Sequence, residues 1–183
     1  KLFDGYPNSG EPIADFPWET ARMKNVVNLV AEKSGWGKTM PVSSGLGIAT
    51  HKNHLTYVAC VIEVKVENGN ITIPEIHYAV DCGTVVNEDR VISQFEGGAI
   101  FAISGALGEI TFKDGKVEQN NFDTFRVARM GDAPTKINVH LVESNEKPTG
   151  VGEPPVPTVA PALCNAIFAA TGKRLRKLPI DLS

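Results

Sequence analysis

Glu153 is the acidic residue of the stretch GVGEPPVPTVAPAL, residues 150–163, where two glycines precede it and four prolines follow. Gly150 and Gly152 allow backbone angles and close approaches that a side chain forbids. Pro154 and Pro155 fix φ and remove two amide donors, which keeps them out of a helix interior or a central strand. A main chain that is first free and then stiff can hold a carboxylate still beside a bulky ligand. The same composition makes a surface turn, and because most glutamates are solvated the fragment alone fits a turn better. Gln94, just ahead of Gly97-Gly98, is the second polar residue with two readings: it points at a ligand, or it caps a neighbouring loop.

Other candidates are weaker. His51 and His54 in HKNH have the spacing of a metal pair, but no third ligand stands near, and a polar turn before a strand accounts for them. The 3 cysteines, Cys60, Cys82 and Cys164, are widely spaced and include no CxxC. A disulfide framework, a zinc site, an iron–sulfur site and a redox-carrier role on this chain are therefore not expected. Lys173, Arg174, Arg176 and Lys177 form a basic cluster that reads as a solvated end. With a formal net charge of −3 the chain carries no nucleic-acid footprint, so a nucleic-acid partner is excluded. No apolar run approaches the roughly 20 residues of a spanning helix, so membrane insertion is not expected.

The elements that must position these residues follow from hydrophobic periodicity. The 183-residue chain is 42% hydrophobic and 21% charged, as for one domain with a real core. Residues 1–18, rich in Gly, Pro and Asp, read as an irregular arm, and residues 19–183 as the structured part. Met23, Val26, Val27, Val30 and Ala31 share one helical face, closed by Ser34-Gly35. PVSSGLG then reads as a glycine-punctuated linker. Val58, Cys60, Ile62, Val64 and Val66 alternate as in a half-buried strand, and Asn68-Gly69 predicts a hairpin to a second arm from about Ile71 to Val80. Val91, Phe95, Gly98, Ala99, Ala102, Ile103 and Ala106 form a helical stripe, in which Gly97-Gly98 is tolerated if something packs closely on that backbone. Asp114-Gly115 turns a short hairpin, and Ile137, Val139 and Leu141 line a strand. A helix is predicted to begin near Pro161 and stop at Gly172, with LRKLPIDLS as a last edge strand. The fold class is α+β: hairpins and a mixed sheet with three main helices.

Two linked blocks carry a resemblance. GVGEPPVPTVAPALCNAIFAATGKRLRKLPI resembles the C-terminal end of the large subunit of molybdenum hydroxylases, the xanthine oxidase and aldehyde oxidase family. DCGTVVNEDRVISQFEGGAIFAISGALGEITFKDGKVEQNNF resembles the segment that precedes it there, with a glutamine ahead of a glycine-containing helix. With AEKSGWG and FAATGK, the pattern from about residue 19 to residue 180 is most similar to the isoquinoline 1-oxidoreductase beta subunit and bacterial aldehyde dehydrogenase branch. The resemblance implies that the chain is the C-terminal portion of a larger molybdopterin-binding domain.

The implied activity is oxidation of an aldehyde or hydroxylation of an N-heterocycle with water-derived oxygen. Glu153 would be the general base toward a molybdenum-bound hydroxyl, Gly150, Val151 and Gly152 the backbone approach to the cofactor, and Gln94 a residue close to it. None of these is a metal ligand. The implied cofactor is a molybdenum–pterin in its cytosine dinucleotide form, and the implied partners are the remainder of the large subunit and a small [2Fe–2S] subunit. Phe125 departs from the pattern, standing where relatives often carry Tyr, and the glycine-rich cofactor loops of the family's earlier half have no counterpart. The isolated chain is therefore expected to be inactive. A non-catalytic structural or interaction domain is the alternative. Without an initiator Met or signal peptide the chain reads as a piece of something longer, and both cytoplasm and periplasm stay open.

Overall fold

The computed structural model describes residues 18–125 and 127–182. The expected arm, residues 1–18, lies outside them except for Trp18. Among the described residues the order is α1 (Thr20–Ser34), β1 (Ser44–Asn53), β2 (Thr56–Glu67), β3 (Asn70–Asp81), α2 (Glu88–Leu107), β4 (Phe112–Lys113), β5 (Lys116–Val117), β6 (Lys136–Leu141) and α3 (Val156–Thr171). Strands β1, β2, β3 and β6 form one sheet in that order, antiparallel except for the parallel pair β3–β6, and β4–β5 is a separate hairpin. This is the α+β arrangement with a mixed sheet and three helices that the sequence predicts.

The sheet is covered on both faces. Val58, Cys60, Ile62 and Val64 of β2 join the core beneath α2 and α3, while Tyr57, Ala59 and Val61 face Met23, Val26 and Val30 of α1. The first half of β2 is thus buried on both sides, and the expected half-buried alternation survives only near its end. Helix α1 stops where Gly35 turns left-handed at φ 65°, its amide bonding back to Ala31 and Glu32. Asn87 caps α2 by accepting from the Arg90 amide at 2.9 Å, and Glu88 and Asp89 complement the helix dipole. All seven residues of the predicted α2 stripe are buried. Phe95 meets Tyr78 edge-to-face at 5.1 Å, which docks that stripe on β3.

Three local expectations are corrected. The PVSSGLG segment is not a linker, because Ser44 onward forms β1. Its glycines are packing residues: a Cβ on Gly45 would stand 2.5 Å from the Ala166 carbonyl, and one on Gly47 would strike the Ala162 and Ala166 backbone. Helix α3 begins at Val156 rather than near Pro161, since Pro155 at the N-cap and Pro157 occupy positions whose amides have no intrahelical acceptor. Pro161 lies inside the helix on its exposed side. The C-terminal segment forms no edge strand; it crosses α2 irregularly, with the Ile180 amide on the Ala106 carbonyl at 2.8 Å. Among the described residues no helix is long and apolar enough to cross a membrane.

Candidate functional site

Three segments converge around Glu153: the β1–β2 turn, the first half of α2, and the loop from β6 to α3. The loop is tied down before the acid. The Thr149 amide donates to the Cys82 carbonyl at 2.9 Å, and the buried Thr56 hydroxyl donates to the Gly150 carbonyl at 2.6 Å. That uses the one hydroxyl proton of Thr56, so the 2.6 Å bond between Thr56 and Thr149 runs from the Thr149 hydroxyl.

The loop is fixed after the acid as well. Pro154 and Pro155 are buried, and Pro155 sits against Gly98 of α2, where a Cβ would stand 2.6 Å from the proline ring. This is the close packing that the Gly97-Gly98 pair predicted. The Val156 amide donates to the Glu153 carbonyl at 3.0 Å, and the Thr158 hydroxyl to the Pro155 carbonyl at 2.7 Å. Both main-chain neighbours of Glu153 are therefore held while its side chain projects outward.

The carboxylate has two donors on one oxygen. His54 Nε2 bonds Glu153 Oε1, and Asn53 Nδ2 donates to the same oxygen at 3.3 Å. These bonds, led by that from His54, and the charge His54 carries when protonated hold the Glu153 carboxyl below the usual glutamate range. The side chains of His54 and Glu153 are 57% and 66% exposed, so the pair is solvent-screened and contributes little to stability.

The predicted site residues fall into two groups. Gln94, Gly152 and Glu153 come together: a Cβ on Gly152 would meet only Gln94 Oε1, at 3.6 Å, so this glycine opens a cradle between amide and carboxylate. Gly150 lies instead under His54, and Val151 turns its side chain into the main core, leaving its backbone as the part available to a ligand. Asn53, His54, Thr56 and Gly98 were not predicted as site residues. HKNH gave a signal for His54, but its partner lies 99 positions away. Among the described residues no group of three His, Cys, Asp or Glu side chains can hold a metal ion. The open cradle and the amide and carboxylate chemistry suit a bulky polar cofactor held by hydrogen bonds.

Residues 11–134 match the molybdopterin cofactor-binding domain model, a stretch that includes Gln94 and ends before the Glu153 loop. The chain is 37% identical over 167 residues to the membrane-bound aldehyde dehydrogenase [pyrroloquinoline-quinone] of Gluconacetobacter polyoxogenes, covering 87% of this chain and 22% of that protein. It is 35% identical over 161 residues to isoquinoline 1-oxidoreductase subunit beta of Brevundimonas diminuta, covering 85% and 20%. The chain thus spans about a fifth of the length of these relatives. Among solved structures, the aldehyde oxidoreductase of Desulfovibrio desulfuricans superposes with a TM-score of 0.61 at 29% identity, over 68% of this chain and 14% of that one. The domain model and the relatives show that the chain belongs to the molybdopterin cofactor-binding domain family.

Proposed function

We propose that this chain is the base-bearing portion of a molybdenum hydroxylase that oxidises an aldehyde or hydroxylates an N-heterocycle with oxygen derived from water. The observation that supports this reading best is the Glu153 carboxylate: fixed through its main chain on both sides, bonded at one oxygen, and open beside Gln94 and Gly152. A molybdenum–pterin group, in its cytosine dinucleotide form, would supply the two-electron redox chemistry when bound. Gln94 would hold it by the carboxamide, and the main chain of Gly150, Val151 and Gly152 would line its approach. A relative's name carries a quinone instead. The matching domain model favours molybdopterin for this chain.

The chain's own contribution is to move a proton. Glu153 Oε2, which accepts no bond from Asn53 or His54, would take the proton of an oxygen nucleophile as it attacks the electrophilic carbon. A general base must sit within about 2.6–3.2 Å of the proton's parent atom, and such action is typically worth ~10²–10⁴-fold. The anchored loop serves that geometry, and the carboxyl, held below the usual glutamate range, is ionised at neutral pH as a base must be. The site is open, so its remaining walls and the substrate pocket would come from the rest of the large subunit. Electrons would leave through [2Fe–2S] clusters on a small partner subunit. The isolated chain, lacking those parts, would be inactive.

The test is Glu153→Gln in the full-length enzyme, with molybdenum, pterin and quinone content measured beside turnover. The expected result is retained molybdenum–pterin, no quinone and loss of most turnover. Near-normal turnover with the metal retained overturns the assignment of the base. An enzyme that contains quinone and no molybdenum overturns the assignment of the cofactor.

A further inference from the structure

We infer that His54 is the positioning residue of this base: from the tip of the β1–β2 turn it binds one oxygen of Glu153 and leaves the other free to take a proton. The inference rests on the general-base reading above and adds to it a residue from a different part of the chain.

The turn itself is the first observation. Two residues, His54 and Leu55, connect β1 to β2 with φ of 49° and 62°. Two-residue turns with both φ values positive favour Asn-Gly or Asp-Gly. The other two hairpins follow that rule with Asn68-Gly69, at 51° and 78°, and Asp114-Gly115, at 51° and 73°. Among the described hairpins, the turn facing Glu153 alone lacks glycine and places a bulky side chain, Leu55, in the left-handed region, next to His54, a residue type that enters it more readily. Local strain of this kind clusters at functional sites.

The fit beneath the imidazole is the second. A Cβ on Gly150 would stand 3.3 Å from His54 Cβ and 3.6 Å from its Cγ, so a methyl there would fit tightly and press the histidine by a few tenths of an ångström. Gly150 therefore seats the histidine that reaches Glu153. The third is the choice of oxygen: Asn53 and His54 both bond Oε1. Two donors on one oxygen restrain where that oxygen sits and so limit the swing of the other, and orientation is what a base requires. The groups around it are the Asn53 amide from β1, the His54 imidazole from the turn and, across Gly152, the Gln94 amide of α2.

The experiment has two arms. In the chain itself, carbon-13 NMR follows the Glu153 carboxylate through a pH titration, with His54→Phe, His54→Gln and the double variant His54→Asn/Leu55→Gly. The double variant gives the turn a favoured Asn-Gly pair while lacking the imidazole. Wild-type Glu153 should titrate below the ordinary glutamate value. His54→Phe should move it upward, and His54→Gln and the double variant, each of which keeps a neutral amide donor, should fall between.

In the full-length enzyme the acidic limb of the kcat–pH profile should move to higher pH in the same order, with KM little changed and plateau kcat several-fold lower. An unchanged carboxylate titration in His54→Phe and the double variant alike overturns the role of His54. If Glu153→Gln still abolishes turnover in that case, the base reading stands without it. If Glu153→Gln turns over normally with its cofactor, both fall.

Discussion

Asp81 and Glu153 are both held by basic side chains, and they are held in opposite ways. Asp81, at the end of β3, takes both its oxygens to Arg22 of α1 at 2.7 and 2.8 Å, and their side chains are 4% and 15% exposed. The Gly83 amide adds a further bond to Asp81 at 3.2 Å, and the Arg22 guanidinium lies over the Tyr57 ring at 4.7 Å. Glu153 shares one oxygen with His54 and Asn53 and stands mostly in solvent. A bidentate, buried carboxylate fastens a helix to a sheet and presents neither oxygen to a substrate. One gripped at a single oxygen adds little to the fold and keeps the other oxygen reactive.

Substitutions that exchange the two roles would break this comparison. The largest effect expected is on turnover: Glu153→Gln in the full-length enzyme lowers kcat by ~10²–10⁴-fold. Thermal melting should show no accompanying loss of stability beyond the small change expected for a surface substitution. The opposite profile is expected of Asp81→Asn. It strands the mostly buried Arg22 charge and costs about 3 kcal/mol by denaturant unfolding, near the low end for buried pairs because Arg22 keeps some solvent contact. A stable Asp81→Asn variant would mean that the buried pair is dispensable and that the contrast has no energetic content.

The next effect couples the two. Gly98→Ala sets a methyl against the Pro155 ring, and overpacking of this kind costs about 1–3 kcal/mol. Because Pro155 also limits Glu153, turnover should fall along with stability. Stability lost at unchanged turnover would show that the loop does not aim the base. The smallest effect sharpens the baseline: Glu63→Gln removes the exposed Lys38–Glu63 pair, 3.0 Å long, and should change stability by ~0–1 kcal/mol with no effect on turnover.

What was legible from sequence follows from what is local. The α2 stripe was legible because burial on one face imposes helical spacing, and Asn68-Gly69 and Asp114-Gly115 because their backbone angles favour those residues. Strand β1 was not, since Gly45 and Gly47 look like a linker until α3 is known to cross them. The start of α3 was misplaced because Pro161 fits a first turn equally well, and only the burial of Pro154 and Pro155 reveals the earlier entry. Glu153 and Gln94 could be picked out through a resemblance to family motifs. The contact with His54 could not, because it joins positions 99 apart through a turn that breaks the residue preference for its own geometry.

The central claim is that Glu153 faces the cofactor when the rest of the enzyme is present. The most direct measurement is an experimental structure of the full-length, molybdenum-loaded protein. A Glu153 carboxylate oxygen within about 2.6–3.2 Å of the metal's ligand sphere is the result this account predicts. A Glu153 side chain turned to bulk water, with the molybdenum–pterin group bound elsewhere, would contradict it.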